Sequence, residues 1–333
     1  MLSFWAFFLP GIFLFWQVVA FQNIEIIFDV IQCCELRFHF FECGIKGPGP
    51  DLDAEFRKAR DYNRKHPYQE PTDRKATYQT IQVGQYPCLV IRPENQAGKA
   101  ILYLHGGGDH DTWKPEVAFA RAYGKRAGMD VYYPLYPPFT EASPARTADF
   151  IFNVYRDMVK EYSAAKVAVV GGSYGGFLAM QLLTWINRNN ADETKAHVEM
   201  PKLLIMNSPF AYPKTEEEWK RAAALERDDA MITPGAFRWM LALTLKLSPD
   251  TPDWLLYPAD MDFHHAPETC VFYTDEACSA VADAIRNSYV RDGAGEKMHM
   301  HIEPGMMHCY ASAPVFKESR RDFGQQIALL RQI

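Results

Sequence analysis

Short apolar runs alternate with amphipathic segments over most of the chain beyond residue 75. Runs of four to eight β-branched and aromatic residues are typical of buried strands, and apolar residues recurring every three or four positions are typical of helices. The predicted strands are 76–83, 87–92, 100–104, 129–133, 167–170, 202–207, 269–273 and 298–302. The predicted helices are 53–65, 116–127, 144–162, 176–189, 215–227, 234–247 and a last one from 314 to the C-terminus.

This strand–helix alternation predicts the fold class. Parallel neighbouring strands need a crossover, usually a helix, which covers the faces of the sheet. We therefore expect an α/β protein with a mainly parallel, doubly wound sheet. The interval between the strands 202–207 and 269–273 is too long for a simple crossover. It predicts a helical cap or lid insertion at about 210–265, which together with residues near 50–75 would set substrate choice.

A Gly- and Pro-rich stretch at 44–51 predicts a linker, because these residues neither continue a helix nor join the interior of a sheet. We accordingly divide the chain into an N-terminal hydrophobic segment (1–43), a linker and cap (44–80), and a catalytic domain (81–333).

Residues 1–24 carry no charged side chain and are rich in Phe, Leu, Ile, Val and Trp. About 20 apolar residues are long enough to span a bilayer. We expect a single-pass anchor here, in a membrane such as the endoplasmic reticulum, with its orientation undecided. One alternative is a cleaved signal peptide, which would make the protein secreted. Another is a hydrophobic helix packed on the domain, which would be compatible with a cytoplasmic protein.

Composition narrows the class of protein further. Of the 333 residues, 48% are hydrophobic and 14% aromatic, which suffices for one large core. The net charge of −6, without a long basic block, argues against a nucleic-acid partner. Seven cysteines form no C-x-x-C pair and no obvious metal-ligand spacing. The chemistry of the motifs described below implies neither a metal nor an organic cofactor.

The most informative motif is Gly171-Gly172-Ser173-Tyr174-Gly175, which follows the predicted strand 167–170 and precedes a predicted helix. A serine on a sharp strand-to-helix turn holds its Oγ clear of the backbone, where it can attack a carbonyl. The sequence therefore predicts Ser173 as a catalytic nucleophile.

A second glycine motif, His105-Gly106-Gly107-Gly108, directly follows the predicted strand 100–104. Glycines leave backbone N–H groups unshielded, so these groups can stabilise the oxyanion that forms when serine attacks. We predict an oxyanion hole made by the amides of Gly106, Gly107 and Tyr174, and a structural hydrogen-bonding role for His105.

The turn around Ser173 resembles the nucleophile elbow of the α/β-hydrolases, and this resemblance implies that an acid and then a histidine follow the serine along the chain. His308 lies on a loop after the last predicted strand, and Asp275 and Glu276 follow the preceding strand. Only one of two adjacent carboxylates can reach the imidazole, because neighbouring side chains point in different directions. The residues alone leave both open.

Together these motifs resemble the hormone-sensitive-lipase-like branch of the α/β-hydrolases, esterases with an H-G-G-G loop. The resemblance runs from about residue 81 to the end and includes Asn207-Ser208-Pro209 and Pro304-Gly305-Met306-Met307-His308. It implies Ser173 and His308 as nucleophile and base. For the acid, one alignment gives Asp275 and another Glu276; we favour Glu276 and retain both. The chain departs from the family pattern at Asp109-His110, Gly172 and Tyr174.

The resemblance implies a serine esterase that cleaves short acyl groups, such as acetyl, from a hydrophobic small molecule of lipid or secondary metabolism. The alternatives are an acyltransferase that uses the same triad and a non-catalytic ligand-binding member of the fold. A prolyl-oligopeptidase-type peptidase is disfavoured, because about 80 residues before the sheet cannot hold a β-propeller.

Overall fold

Strands and helices alternate along the described part of the chain, which in this computed structural model comprises residues 52–65, 67–95, 98–107, 114–227, 229, 231–232 and 235–333. The strands are β1 (Thr77–Val83), β2 (Tyr86–Arg92), β3 (Ala100–Leu104), β4 (Asp130–Pro134), β5 (Val167–Gly172), β6 (Leu203–Asn207), β7 (Glu268–Tyr273) and β8 (Met298–Ile302). The helices are α1 (Leu52–Lys65), α2 (Lys114–Ala127), α3 (Pro144–Tyr162), α4 (Tyr174–Asn190), α5 (Glu216–Leu225), α6 (Ala236–Leu247), α7 (Ala282–Arg291) and α8 (Lys317–Gln332).

The eight strands form one sheet in the order β1-β2-β4-β3-β5-β6-β7-β8. Strand β2 pairs antiparallel with β1 and β4, and every pair from β4 to β8 is parallel. The predicted mainly parallel, doubly wound sheet is therefore confirmed. In the register, Leu104 lies opposite Gly171, and Gly172 opposite Asn207. The loops that follow β3, β5 and β6 consequently begin side by side at one edge of the sheet.

Each strand sends alternate side chains to opposite faces of the sheet, and a separate hydrophobic cluster covers each face. In β3, Leu102 and Leu104 join the cluster beneath α3 and α4, whereas Ile101 and Tyr103 join the cluster beneath α2 and α8. Strands buried on both sides need continuous apolar runs, which explains why β3, β4 and β6 were recognisable without period-two alternation.

The insertion between β6 and β7 carries α5 and α6, as the sequence predicts. Its aromatic side chains pack on residues that follow the central strands. The ring of Phe237 lies 4.9 Å from that of Phe210, and the ring of Trp239 lies 6.3 Å from that of Phe139. These contacts bring α6 to the carboxyl-terminal edge of the sheet.

Helix α7 was not predicted from the sequence. It buries only Ala282, Ile285, Ser288 and Tyr289 among its ten residues, so its apolar stripe is short and includes a serine. Such a pattern is difficult to distinguish from a polar loop.

The membrane-anchored localisation predicted from the sequence requires correction. The described helices include none that is both long and apolar enough to cross a bilayer. The longest, α3, has 19 residues, but charged residues interrupt it from Arg146 to Glu161 because its outer face meets solvent. The segment 1–24 that prompted the prediction lies outside the described residues, as do the whole predicted segment 1–43 and the predicted linker 44–51.

Candidate active site

Ser173 occupies a strained turn between β5 and α4. Its φ of 51° and ψ of −119° lie outside the regions that non-glycine residues favour. Backbone hydrogen bonds hold this conformation: the Ser173 N–H donates to the Asn207 carbonyl at 2.8 Å, and the Phe210 N–H donates to the Ser173 carbonyl at 3.0 Å. The half-buried serine is thus fixed between β5 and the loop after β6.

The glycines around Ser173 permit close approach of the backbone. A Cβ at Gly175 would lie 1.9 Å from the carbonyl oxygen of Leu104, and one at Gly171 would lie 2.5 Å from the carbonyl oxygen of Gly175. No side chain fits at such distances. Steric crowding in this turn therefore explains why glycine occupies positions 171 and 175.

The loop after β3 lies beside the serine. A Cβ at Gly106 would be 3.4 Å from the Cβ of Ser173, and Gly107 has a φ of +65°. Tyr174, the third residue of the predicted oxyanion hole, is the first residue of α4. Gly106 and Tyr174 thus lie next to the serine, Gly107 follows Gly106 along the chain, and Gly108 lies outside the described residues.

His105 is buried between two aromatic rings. Its imidazole stacks on Tyr136 with ring centres 4.1 Å apart and on Tyr133 at 5.2 Å, and its Nδ1–H donates to the Gly106 carbonyl at 2.8 Å. Burial lowers the pKa of His105 to about 4, so the ring is neutral near pH 7. These contacts are those of a side chain that shapes the glycine loop.

His308 and Glu276 form a buried pair. The Nδ1–H of His308 donates to Oε2 of Glu276, and the two residues are 8% and 2% exposed. Because a carboxylate only accepts, this bond places the proton on Nδ1 and leaves Nε2 as a base.

Ser208 joins this pair to the loop that carries the histidine. Its hydroxyl donates to Oε1 of Glu276 and accepts from the Cys309 N–H at 2.9 Å. Ser208 is fully buried and has a φ of 47°. Sequence reasoning gave Ser208 no role, although the motif Asn207-Ser208-Pro209 was part of the family resemblance.

Asp275, the other predicted carboxylate, faces away from the histidine. Its Oδ1 accepts from the Gly305 N–H at 2.7 Å and from the Thr274 hydroxyl at 2.8 Å, and the side chain is exposed. The Gly305 amide and the Thr274 hydroxyl hold its pKa below the usual value. The structure thus brings Glu276, and not Asp275, to His308.

The serine turn and the histidine loop meet at Asn207. Its carbonyl oxygen accepts both the Ser173 N–H at 2.8 Å and the Cys309 thiol at 3.3 Å. A Cβ at Gly172 would lie 3.7 Å from Sγ of Cys309. Gly172, the residue before Ser173, therefore lies close to Cys309, the residue after His308.

Opposing effects act on the pKa of His308. Burial lowers this pKa, whereas the adjacent Cys309 thiol, the Glu276 carboxylate and the Cys278 thiol raise it. We take the direction to be upward, because a carboxylate in direct contact stabilises the imidazolium.

Aromatic side chains cluster around Tyr174, the residue that follows Ser173. The ring of Tyr174 lies 6.3 Å from both Phe139 and Phe210 and 5.9 Å from Phe177, and all four residues are buried. The residue after the serine is therefore packed in an apolar cluster.

Three other histidines that precede His308 along the chain form ion pairs elsewhere. His264 contacts Asp262, His299 contacts Glu268, and His301 contacts Glu303, all through partly exposed side chains. Each pair lies near the surface of the domain.

Comparison with known proteins now identifies the family. A model of the alpha/beta hydrolase fold family matches residues 101–312, which is more than half of the chain. The chain belongs to the α/β-hydrolases. A search of curated proteins gives no significant match to this hydrolase.

Solved structures share the fold of the hydrolase. The esterase EstE5, soaked with p-nitrophenyl butyrate, superposes with a TM-score of 0.69 at 19% identity, covering 93% of this chain and 99% of its own. An esterase/lipase from an uncultured bacterium gives the same values. An esterase of the bacterial hormone-sensitive lipase family gives a TM-score of 0.68 at 19% identity, covering 86% and 92%. The predicted α/β-hydrolase fold is thus confirmed.

Proposed function

We propose that this hydrolase is a carboxylesterase that cleaves short acyl groups from a hydrophobic alcohol through a Ser173–His308–Glu276 triad. The observation that carries the proposal is the buried hydrogen bond from His308 to Glu276, at the sheet edge where Ser173 occupies a strained turn. The esterases that share the fold support the reaction class.

In the proposed mechanism these groups act together in two stages. Ser173 Oγ attacks the ester carbonyl carbon while Nε2 of His308 takes the hydroxyl proton, and Glu276 stabilises the resulting imidazolium. The carbonyl oxygen becomes negative and accepts hydrogen bonds from the amides of Gly106, Gly107 and Tyr174. Return of the proton from Nε2 to the departing alkoxide releases the alcohol and leaves an acyl-enzyme.

Hydrolysis of the acyl-enzyme repeats these steps with water as the nucleophile. His308 takes a proton from water, the hydroxide attacks the acyl carbon, and the proton then goes to Ser173 Oγ as the acid leaves. No residue besides the triad and the three amides is required for this chemistry.

The aromatic residues around Tyr174 support the proposed substrate class. In this proposal the buried rings of Phe139, Phe177 and Phe210, which pack around Tyr174, border the acyl site, where they favour apolar groups and limit the length of the acyl chain. We therefore expect acetyl or propionyl esters of an apolar alcohol to be preferred over long-chain esters.

Turnover of p-nitrophenyl esters of increasing acyl length tests the proposal with wild type, Ser173→Ala and His308→Ala. We expect wild-type activity to be highest for the shortest esters and to fall by at least about 10³-fold in each variant. Unchanged activity in Ser173→Ala would refute the mechanism, and absence of wild-type turnover on every ester would favour a ligand-binding protein. Acyl transfer to an added alcohol that exceeds hydrolysis would instead indicate an acyltransferase.

A further inference from the structure

Three groups of side chains among the described residues offer metal-ligand atoms close together. They are Asp262 with His264 and Asp292, His301 with Glu303 and Asp322, and Glu276 with Cys278 and His308. In the first two groups an arginine already pairs with a carboxylate: Arg291 lies 2.6 Å from Asp292, and Arg321 lies 2.6 Å from Asp322. Only the third group among the described residues lacks such a guanidinium partner and is buried throughout.

The third group has nearly the geometry of a metal site. One donor atom from each of Glu276, Cys278 and His308 lies within 4.8 Å of the others. Ligands of a tetrahedral site lie about 3.3–3.8 Å apart, because metal–ligand distances are about 2.0–2.3 Å. Shifts of roughly 1 Å would therefore complete it, with a water as the fourth ligand.

Cys278 is the member of the group that the esterase mechanism does not use. It lies in the short turn Ala277–Val281 that follows Glu276, and its side chain is fully buried. Its Sγ atom lies within 4.8 Å of a ring nitrogen of His308. The turn thus presents a sulfur atom to the imidazole from the same segment that supplies the carboxylate.

The donor set selects a class of cation. Sulfur and imidazole nitrogen ligands favour Zn²⁺ and Cd²⁺ over Mg²⁺ and Ca²⁺, which require several oxygen ligands. We propose that Cys278, His308 and Glu276 form an inhibitory site for a thiophilic divalent cation such as Zn²⁺.

Binding there stops the proposed reaction by changing the tautomer of His308. The cation takes the Nδ1 lone pair, so the imidazole proton moves to Nε2, and the Cys278 thiol proton leaves to solvent. An Nε2 that carries a proton cannot accept one from Ser173. Because the substrate pocket is not occupied, kcat falls while KM changes little. The inhibition of turnover rests on the proposed function, whereas the binding of the cation does not.

Inhibition kinetics with Zn²⁺ test the site. We expect Zn²⁺ to lower the wild-type kcat for p-nitrophenyl acetate and EDTA to restore it. In Cys278→Ser, the Zn²⁺ concentration for half inhibition, measured against the variant's own metal-free activity, should rise at least about tenfold, because one strong ligand is lost. Cys309→Ser is the matched control, since its thiol lies next to His308 in sequence but donates to the Asn207 carbonyl. Equal sensitivity of Cys278→Ser and wild type, or loss of sensitivity in Cys309→Ser instead, would overturn the site.

A binding measurement without turnover separates this proposal from the proposed function. Cd²⁺ is titrated into Ser173→Ala, and the ultraviolet absorption of a Cd²⁺–thiolate bond is recorded. We expect one equivalent to bind in Ser173→Ala and in Ser173→Ala/Cys309→Ser, and no such absorption at one equivalent in Ser173→Ala/Cys278→Ser. Absorption that persists without Cys278 contradicts the proposed site, whatever the reaction of the enzyme.

Discussion

At the scale of single residues, two adjacent carboxylates have different surroundings. Glu276 is buried and accepts hydrogen bonds from His308 and Ser208, whereas Asp275 is exposed and accepts one from the Gly305 amide. A buried carboxylate that orients an imidazole contributes far more to a serine hydrolase reaction than one that fastens a loop. The two positions therefore form a matched pair for substitution.

Glu276→Gln should lower kcat for p-nitrophenyl acetate by roughly 10³–10⁴-fold, because the amide no longer stabilises the imidazolium. Asp275→Asn should keep kcat within about fivefold, because the amide oxygen still accepts from Gly305 and one hydrogen bond contributes about 0.5–1.5 kcal/mol. Steady-state kinetics of both proteins, with circular dichroism to verify folding, check this expectation. A larger loss of kcat in Asp275→Asn than in Glu276→Gln would show that Asp275, and not Glu276, is the acid.

The pH dependence of the reaction should report the pKa of His308. The base must be neutral, so kcat/KM should rise with pH through this pKa, and the Glu276 carboxylate helps to raise it above its usual value of about 6.5. In Glu276→Gln that contribution is lost while burial still disfavours the imidazolium, so the midpoint should move to lower pH. NMR titration of the imidazole measures the shift even if turnover is slow. An unchanged pH midpoint in Glu276→Gln, or an equal shift of the midpoint in Asp275→Asn, would contradict the proposed effect of Glu276 on the pKa of His308.

At the scale of elements, close packing of α4 on the sheet depends on one glycine. A Cβ at Gly175 would overlap the Leu104 carbonyl oxygen at 1.9 Å, whereas one at Gly172 would meet its nearest atom, Cys309 Sγ, at 3.7 Å. Gly175→Ala should therefore lower the free energy of unfolding by at least about 3 kcal/mol, because neither backbone segment can move freely. Gly172→Ala should change it by less than about 1 kcal/mol. Urea denaturation and soluble yield measure both, and equal effects of the two substitutions would refute the steric account.

The elements were largely predictable because the sheet is buried on both faces. Strands such as β3 and β6 are continuous apolar runs, and the turns after β3 and β5 carry glycines that few other structures require. Helix α7 escaped prediction because only four of its residues are buried.

The candidate site was predictable only in part. Ser173 and His308 stand in motifs with a distinctive position along the chain. The role of Ser208 depends on a positive φ and on two hydrogen bonds to residues 68 and 101 positions away, which no local pattern encodes. The choice between Asp275 and Glu276 likewise depends on how the turn after β7 is wound, since both follow the same strand.

At the scale of the whole molecule, the insertion contacts an aromatic cluster that includes Tyr174, the residue after Ser173, the proposed nucleophile. Trp239 of α6 packs against Phe139, and Phe139 packs against Tyr174, the residue after Ser173. Trp219 of α5 belongs to the same insertion but stacks under the Arg238 guanidinium at 4.3 Å. Substitution of each tryptophan in turn therefore distinguishes an effect on substrate choice from an effect on the packing of the insertion.

Trp239→Leu should shift the acyl-length preference toward longer chains. Loss of the indole ring allows Phe139 to move away from Tyr174, and each methylene accommodated in an apolar pocket is worth about 1–3 kcal/mol. The ratio of kcat/KM for p-nitrophenyl hexanoate to that for the acetate should rise at least about tenfold. Trp219→Leu, which leaves the contact between Trp239 and Phe139 in place, should keep the wild-type ratio even if it destabilises the insertion. If both variants change the ratio equally, the insertion acts through its general packing, and if neither does, the acyl chain binds away from the aromatic cluster.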